Sequence, residues 1–253
     1  MSLDRLADHR SIWAAKPVLR SVYEVWFEAL LATLGSRDRV VEVGAGPGFL
    51  AAHARARRPG VRWVASDVIA APWNDLVADA HRLPLEAGGV DALLGVDVVH
   101  HLARPGDFFA EAARVLSPSG RVAVVEPWIT PLSYPIYRWL HQEGCRAGLD
   151  PWNPFPRAGK DAFQGDGAVV WKLAREVTPA RWGALGFAAP RVTVLNGFAY
   201  LLSLGFKRGS LLPPRLLPPL LRLDARTAGL ARWVGLRALV VWERRPSPAA
   251  VAS

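Results

Sequence analysis

The 253-residue sequence predicts a doubly wound α/β protein: a mostly parallel, seven-stranded sheet with an N-terminal helical lid and an insertion after the fifth strand. Three observations lead there. Short apolar, β-branched runs alternate with helix-like segments from Val40 to Pro127, as expected of parallel strands buried on both faces. A glycine-rich turn, "GAGPG" (Gly44 to Gly48), joins the first such run to a helical segment. The rhythm then breaks at Trp128 and resumes at Thr178.

Taken in order, the first 34 residues read as helix, within a lid of residues 1–36, with Ile12, Leu19, Val22, Tyr23, Val25, Trp26, Leu30 and Leu31 on a broad apolar face. Val40 to Val43 is a short buried strand, and "FLAAHARAR" after the glycines has helical composition. Val61 to Asp67, Leu76 to Ala80 and Asp91 to Asp97 follow as strands. Asp107 to Leu116 is an amphipathic helix stopped by "SPSG", and Arg121 to Pro127 is the fifth strand. Residues 37–127 thus form the core of the fold. Residues 128–177 are rich in Trp, Tyr, Pro and Gly without a clean period, and read as an insertion that caps a substrate. In residues 178–245, Thr178 as N-cap, Pro179 at N1 and Gly186 as stop delimit a helix. Arg191 to Leu195 and Leu236 to Arg245 complete the sheet, and residues 246–253 read as a disordered tail.

Composition bounds the function. Half of the residues are apolar (51%), which excludes general disorder. The single cysteine, Cys145, excludes a disulfide framework and fits a reducing compartment. The N-terminus has no apolar h-region and the longest uncharged stretch is too short to span a bilayer, so a cytoplasmic protein is expected. The net charge is +9, of which +7 lies between Gly205 and Arg245. A solvated arginine-rich face accounts for this; an acidic ligand or an anionic membrane surface is the other reading.

Glycine is spent where a Cβ would clash or a turn is tight. Strand, Gly44-x-Gly46-x-Gly48 and helix place backbone N–H groups and a helix N-terminus at the carboxyl edge of the sheet, where open α/β sheets bind ligands. The spacing is not the longer G-x-G-x-x-G of dinucleotide folds. A tight turn with nothing bound is the other reading.

With "VVEVGAGPGFL", "WVASD", "ADAHRLPLEAGGVDALLGVDVVHHL" and "EAARVLSPSGRVAVVEP" in this order, the chain resembles the class I, Rossmann-like S-adenosylmethionine-dependent methyltransferases, in the small-molecule branch similar to ubiquinone and sterol methyltransferases. The resemblance covers Val40 to Pro127. It implies S-adenosyl-L-methionine as cofactor. Glu42, Gly44, Ala45, Gly46 and Gly48 would hold the methionine end, and Asp67 with Val68 the ribose hydroxyls. Asp79 and Ala80, beside His81, would hold the adenine, and Asp97 with Val98 would lie near the reactive methyl. Only eleven residues separate Asp67 from Asp79, and they include Pro72, which is short for the usual crossover helix; the adenine side is then more open, or closed by Trp73. "PSG" replaces the family's "PGG" before the fifth strand.

Nucleic acid is a poor partner. "DVVHHL" stands where amino-methylating nucleic-acid enzymes carry an Asn-Pro-Pro-aromatic signature, Cys145 lies in no nucleophile motif, and no exposed aromatics accompany the arginines. A non-catalytic cofactor-binding subunit or sensor is a further alternative. Methyl transfer from a sulfonium needs in-line positioning, and a base only for an un-ionised acceptor. Base candidates are His100, His101, Glu126, His141 and Glu143, with His100 first. No set of three ligands at a recognisable spacing predicts a metal site. Trp13, Trp128, Tyr134, Tyr137 and His141 are the expected substrate contacts. Leucines and arginines of Leu201 to Leu223 would line an apolar pocket with a basic mouth, or touch an anionic membrane; Pro213, Pro214, Pro218 and Pro219 forbid a continuous helix there. The expected acceptor is a hydrophobic small molecule or lipid-like metabolite with an ionisable oxygen, as in secondary metabolism, methylated at oxygen rather than carbon. Oligomeric state is left open.

Overall fold

The computed structural model describes residues 2–36, 38–140, 143–156 and 159–245. Seven strands form one sheet in the order β3-β2-β1-β4-β5-β7-β6. They are β1 (Arg39–Val43), β2 (Arg62–Asp67), β3 (Leu76–Val77), β4 (Val90–Val96), β5 (Leu116–Pro127), β6 (Arg191–Leu195) and β7 (Arg237–Glu243). Strands β1 to β5 pair in parallel, whereas β7 runs antiparallel to both β5 and β6. The sheet is therefore mixed, with one reversed strand near one edge.

The helices are α1 (Ser2–Ala15), α2 (Pro17–Leu31), α3 (Phe49–Arg57), α4 (Pro105–Val115), α5 (Ser133–Pro135), α6 (Val169–Glu176), α7 (Pro179–Ala184), α8 (Phe198–Ser203), α9 (Leu217–Arg226) and α10 (Ala231–Val234). Alternation along β5 shows why both faces of the sheet are covered. Val122 and Val124 join a core with Phe108 and Phe109 of α4 and Val169, Val170 and Leu173 of α6. Ala123 and Val125 face the other way, into a core with Leu19, Val22, Trp26 and Leu30 of α2 and Leu50 and Ala51 of α3.

Several boundaries differ from the sequence reading, each for a physical reason. The N-terminal helix is two helices, because Pro17 cannot continue α1 and the preceding Lys16 is held extended (φ −126°, ψ 79°). Of the two, α2 is core, whereas α1 lies over the glycine turn. Strand β3 is only two residues long, so Asp79 lies in a turn that bridges back to Arg82. Strand β5 starts at Leu116, opposite Val90; a register shift carries the chain through "SPSG" before Arg121 rejoins opposite Ala92. The insertion contains a helix the pattern did not show, α6, whose buried face is only Val169, Val170, Lys172 and Leu173. By contrast, β6 and the Thr178 cap follow the sequence closely: the Thr178 hydroxyl accepts from Arg181 N at 3.3 Å. The chain from Leu201 to Leu223 is broken between α8 and α9, as its prolines require. The tail, residues 246–253, lies outside the described residues.

Phe109 is the knot of the first core, with its ring 4.8 Å from Trp182, 5.8 Å from Phe187 and 4.9 Å from Trp242. Phe109→Ala should cost about 3–5 kcal/mol, measured as a drop in the urea midpoint at unchanged slope.

Candidate functional site at the carboxyl edge of the sheet

Glycine spacing has a direct structural cause. Gly44, Gly46 and Gly48 all have left-handed backbones, with φ of 64°, 50° and 78°. Any other L-residue there would cost about 1–2 kcal/mol. Space is short as well: a Cβ on Gly44 would lie 2.5 Å from Val98 Cγ2, and one on Gly48 2.8 Å from Trp73 Cδ1. The loop is clasped from β2, where Gly46 N donates to Asp67 Oδ2 at 2.7 Å and Ala45 N to Ser66 O at 2.9 Å. Trp73 Nε1 donates to Gly46 O at 2.7 Å. From above, Arg10 of α1 donates to Pro47 O at 2.7 Å while its guanidinium lies 4.4 Å over the Trp73 ring. Trp73 thus covers the glycine turn at Gly46 and Gly48.

The acids stand in a row along this edge, in differing states. Asp67 ends β2 buried, with Oδ1 accepting from Ile69 N at 2.8 Å. An ionised carboxylate has lone pairs beyond these two bonds. Val68, beside it, is exposed. Asp79 is exposed and accepts from His81 N at 2.9 Å, its Oδ1 also lying 2.6 Å from His81 Nδ1, with Ala80 half-buried between them. Glu42 faces inward: Trp63 Nε1 donates to its Oε2 at 3.1 Å, and burial pushes its carboxyl up to about 8. Asp97 directly follows β4 with a left-handed backbone (φ 54°), which Asp tolerates better than most residues. Its carboxylate pairs with Arg237 at the start of β7.

Arg237 was not legible as a site residue. It is fully buried, 4.9 Å from the Trp26 ring centroid and 4.7 Å from that of Tyr200, with Nε unpartnered. Its only local signal is one arginine opening an otherwise apolar strand, "RALVVW".

Past β4, Val98 to His101 turn through a short 3₁₀ segment pinned by Glu126 of β5. Glu126 Oε1 accepts from Val98 N at 3.0 Å and Val99 N at 2.7 Å, and Oε2 lies 2.5 Å from His100 Nδ1. The other ring nitrogen of His100 is 3.0 Å from Glu143 Oε2. Burial opposes a charge on His100, but the two carboxylates outweigh it and push the ring up to about 10. His101 is pushed down to about 4, by burial and by its neighbour's charge. Gly165 of the insertion covers both rings: a Cβ there would lie 2.7 Å from His100 Cδ2 and 2.8 Å from His101 Nδ1.

The expected substrate contacts divide. Trp128 and Tyr137 are buried in the first core, and the Tyr137 hydroxyl donates to Leu236 O. Tyr134 is half-buried against that core, and half-buried Trp13 stacks on Phe49 at 3.9 Å. His141 lies outside the described residues. Cys145 is buried, which pushes its thiol up to about 11 and leaves it a poor nucleophile.

Because the folded-state value of Glu42 lies above the ordinary 4.5, its contribution to stability is fully present below pH 4.5 and lost as pH rises through about 8. The urea midpoint of the cofactor-free protein should fall across that window. Glu42→Gln should flatten the fall by on the order of 2–4 kcal/mol. Identical pH profiles for the two proteins would place the Glu42 carboxyl in contact with solvent.

Comparison with known proteins agrees with this architecture. Residues 29–124 match the family model described as "Methyltransferase domain". An uncharacterized 37.1 kDa protein in transposon TN4556 of Streptomyces fradiae is 29% identical over 199 residues, covering 72% of this chain and 52% of its own. The ubiquinone/menaquinone biosynthesis C-methyltransferase UbiE of Paracoccus denitrificans is 28% identical over 138 residues, 47% of this chain and 54% of its own. The chain thus spans about half the length of these relatives. Among solved structures, a SAM-dependent methyltransferase from Archaeoglobus fulgidus superimposes with TM-score 0.53 at 14% identity, over 89% of this chain and 94% of the other. A SAM-dependent methyltransferase from Thermotoga maritima, described as a possible histamine N-methyltransferase, gives 0.52 at 17% identity over 96% and 98%. Residues 29–124 thus match a methyltransferase domain model, and the sheet that holds them has the fold seen in S-adenosylmethionine-dependent methyltransferases of known structure.

Proposed function

We propose that the protein transfers the methyl group of S-adenosylmethionine to an oxygen of a hydrophobic small molecule. The observation that carries the cofactor half is the left-handed glycine turn tied to the Asp67 carboxylate beneath α1. In this reading Gly44 to Gly48 hold the methionine end, Asp67 the ribose hydroxyls, and the Asp79–His81 turn the adenine. Asp97 and Val98 then flank the sulfonium. That is an already activated donor, so the protein's work is to align the acceptor and exclude water.

The acceptor half rests on what surrounds the end of β4. Glu143 and His101 are the partly exposed members of the histidine–glutamate cluster, with side chains 23% and 19% accessible. We assign the base role to Glu143 and His101, the partly exposed members, rather than to His100, which is buried between Glu126 and Glu143. A hydrophobic acceptor suits the aromatic insertion and the apolar cavity of about 300 Å³ between the α1–α2 corner and the 208–214 loop. Of the two cations on its wall, Lys16 is engaged by the carbonyls of Gly205 and Lys207, and Arg208, paired with Asp8 at the surface, is the one an acidic group on the ligand would compete for. Leu211, Leu216, Leu223 and Leu230 are exposed on the basic C-terminal cover and would permit shallow contact with an anionic membrane. No helix among the described residues is long and apolar enough to cross one, in keeping with a cytoplasmic site of action.

Carbon methylation is the second reading, favoured by the similarity to the Paracoccus denitrificans C-methyltransferase. Turnover of methyl-labelled cofactor with phenolic, carboxylic and lipid-like acceptors separates the two, because O-methyl and C-methyl products differ in carbon chemical shift. Cofactor binding without product from any acceptor would indicate a non-catalytic binding subunit. Asp67→Ala should weaken S-adenosylmethionine at least tenfold by calorimetry, since two hydroxyls lose a charged acceptor. An unchanged constant would remove Asp67 from the cofactor site. His101→Ala should lower kcat and leave cofactor affinity within about twofold, the signature of a group that meets only the acceptor.

A further inference from the structure

We propose that His100, His101 and Glu143 form a binding site for one divalent transition-metal ion, held in place by Glu126. No spacing in the sequence announces such a site, because Glu143 reaches the histidine pair from the insertion, 43 positions from His100. The fold alone assembles it.

Four features support the assignment. One ligand atom from each of the three residues lies within 4.8 Å of the others. Donors about 2.0–2.1 Å from a tetrahedral ion stand about 3.3 Å apart. His100 Nε2 is 3.0 Å from Glu143 Oε2, and His101 Nε2 is 3.6 Å from Glu143 Oε1, so each histidine stands near that spacing from one oxygen of Glu143. The second feature is the support behind His100. Its Nδ1 lies 2.5 Å from the fully buried Glu126 carboxylate, which orients the ring and leaves Nε2 to point at Glu143, the carboxylate–histidine arrangement that steadies metal ligands.

Third, two of the three ligands keep some exposure. His100 is 1% exposed, whereas the side chains of His101 and Glu143 keep 19% and 23%, so an ion held there would retain a position for water or an acceptor atom. Fourth, the donors are chemically selective: two imidazoles and one carboxylate suit Zn²⁺, Fe²⁺ or Co²⁺ better than Mg²⁺ or Ca²⁺. A second group, Asp97, His100 and Glu126, is also close enough together, but Asp97 is paired with Arg237 and Glu126 is occupied by two amides. It does not compete. An ion at the first group would displace the proton from His100 Nε2 and would take the place of a protein base, polarising an acceptor oxygen near the end of β4 so that it ionises more easily.

The site does not rest on the methyl-transfer reading, and its test is separate from activity. Tag-free protein stripped with chelator is titrated with Co²⁺, followed by visible absorption and calorimetry, with S-adenosylmethionine affinity measured in parallel. One Co²⁺ per chain is expected, displaced by Zn²⁺, with binding weakened at least tenfold in both His101→Ala and Glu143→Gln. Melting curves of both variants show whether each is folded. If either is not, X-ray absorption on wild-type protein replaces it, and two imidazole ligands at the ion are the expected result. No stoichiometric binding, binding unchanged in both folded variants, or an ion without imidazole ligands would overturn the proposal. The cluster would then be a protonated His100 clamped between two carboxylates. Loss of S-adenosylmethionine binding in wild type would contradict the cofactor reading and leave the metal result standing.

Discussion

Glu126 organises the site more than any other residue. It is fully buried, yet its carboxylate serves three partners: the amides of Val98 and Val99 and the ring of His100. Leaving it unpaired in the core would cost several kcal/mol, so the turn after β4 is held to the one shape that satisfies it. That shape drives Val98 down between β1 and β4. A Cβ on either Gly44 or Gly95 would stand 2.5 Å from a Val98 methyl. One buried acid thus fixes the histidines on one side and demands glycine at Gly44 on the other.

Charge is arranged beside this turn in one pair and one cluster of three, each with a fully buried member. Asp97 is matched by Arg237, which sits between Trp26 and Tyr200, and His100 is matched by Glu126 and Glu143. Burial of such groups rarely adds net stability, because desolvation consumes most of the Coulomb gain. Their presence at the carboxyl ends of β4, β5 and the reversed β7 therefore speaks for chemistry rather than for folding. Asp97 adds to this with a left-handed backbone at the same point.

What the sequence showed and what it hid follow one division. Glu42, the glycines, Asp67, Asp79 and Asp97 each end a strand or follow one directly, so local pattern placed them on the correct edge of the sheet. Both faces of the sheet were legible for the same reason, since β1, β4 and β5 are apolar without alternation. Contacts closed by tertiary structure were not legible. Arg237 meets Asp97 across 140 positions, and Glu143 meets His100 from an aromatic segment without period. The reversal of β7 also left no local mark, because "ALVVW" suits a buried strand of either direction. Trp128 and Tyr137 had the composition of substrate contacts, but their environment is core: aromatic density alone does not separate a pocket wall from a packed interior.

The central claim, that the turn from Gly44 to Gly48 and the row of acids beside it form the cofactor site, is tested most directly by a crystal structure with S-adenosylhomocysteine. The product cofactor should lie across the carboxyl ends of β1, β2 and β4, with both ribose hydroxyls on Asp67 and the adenine beside Asp79 and His81. Its sulfur should face Asp97 and Val98. Product cofactor bound elsewhere, or a turn still closed by Trp73 and Arg10 at saturating ligand, would contradict it.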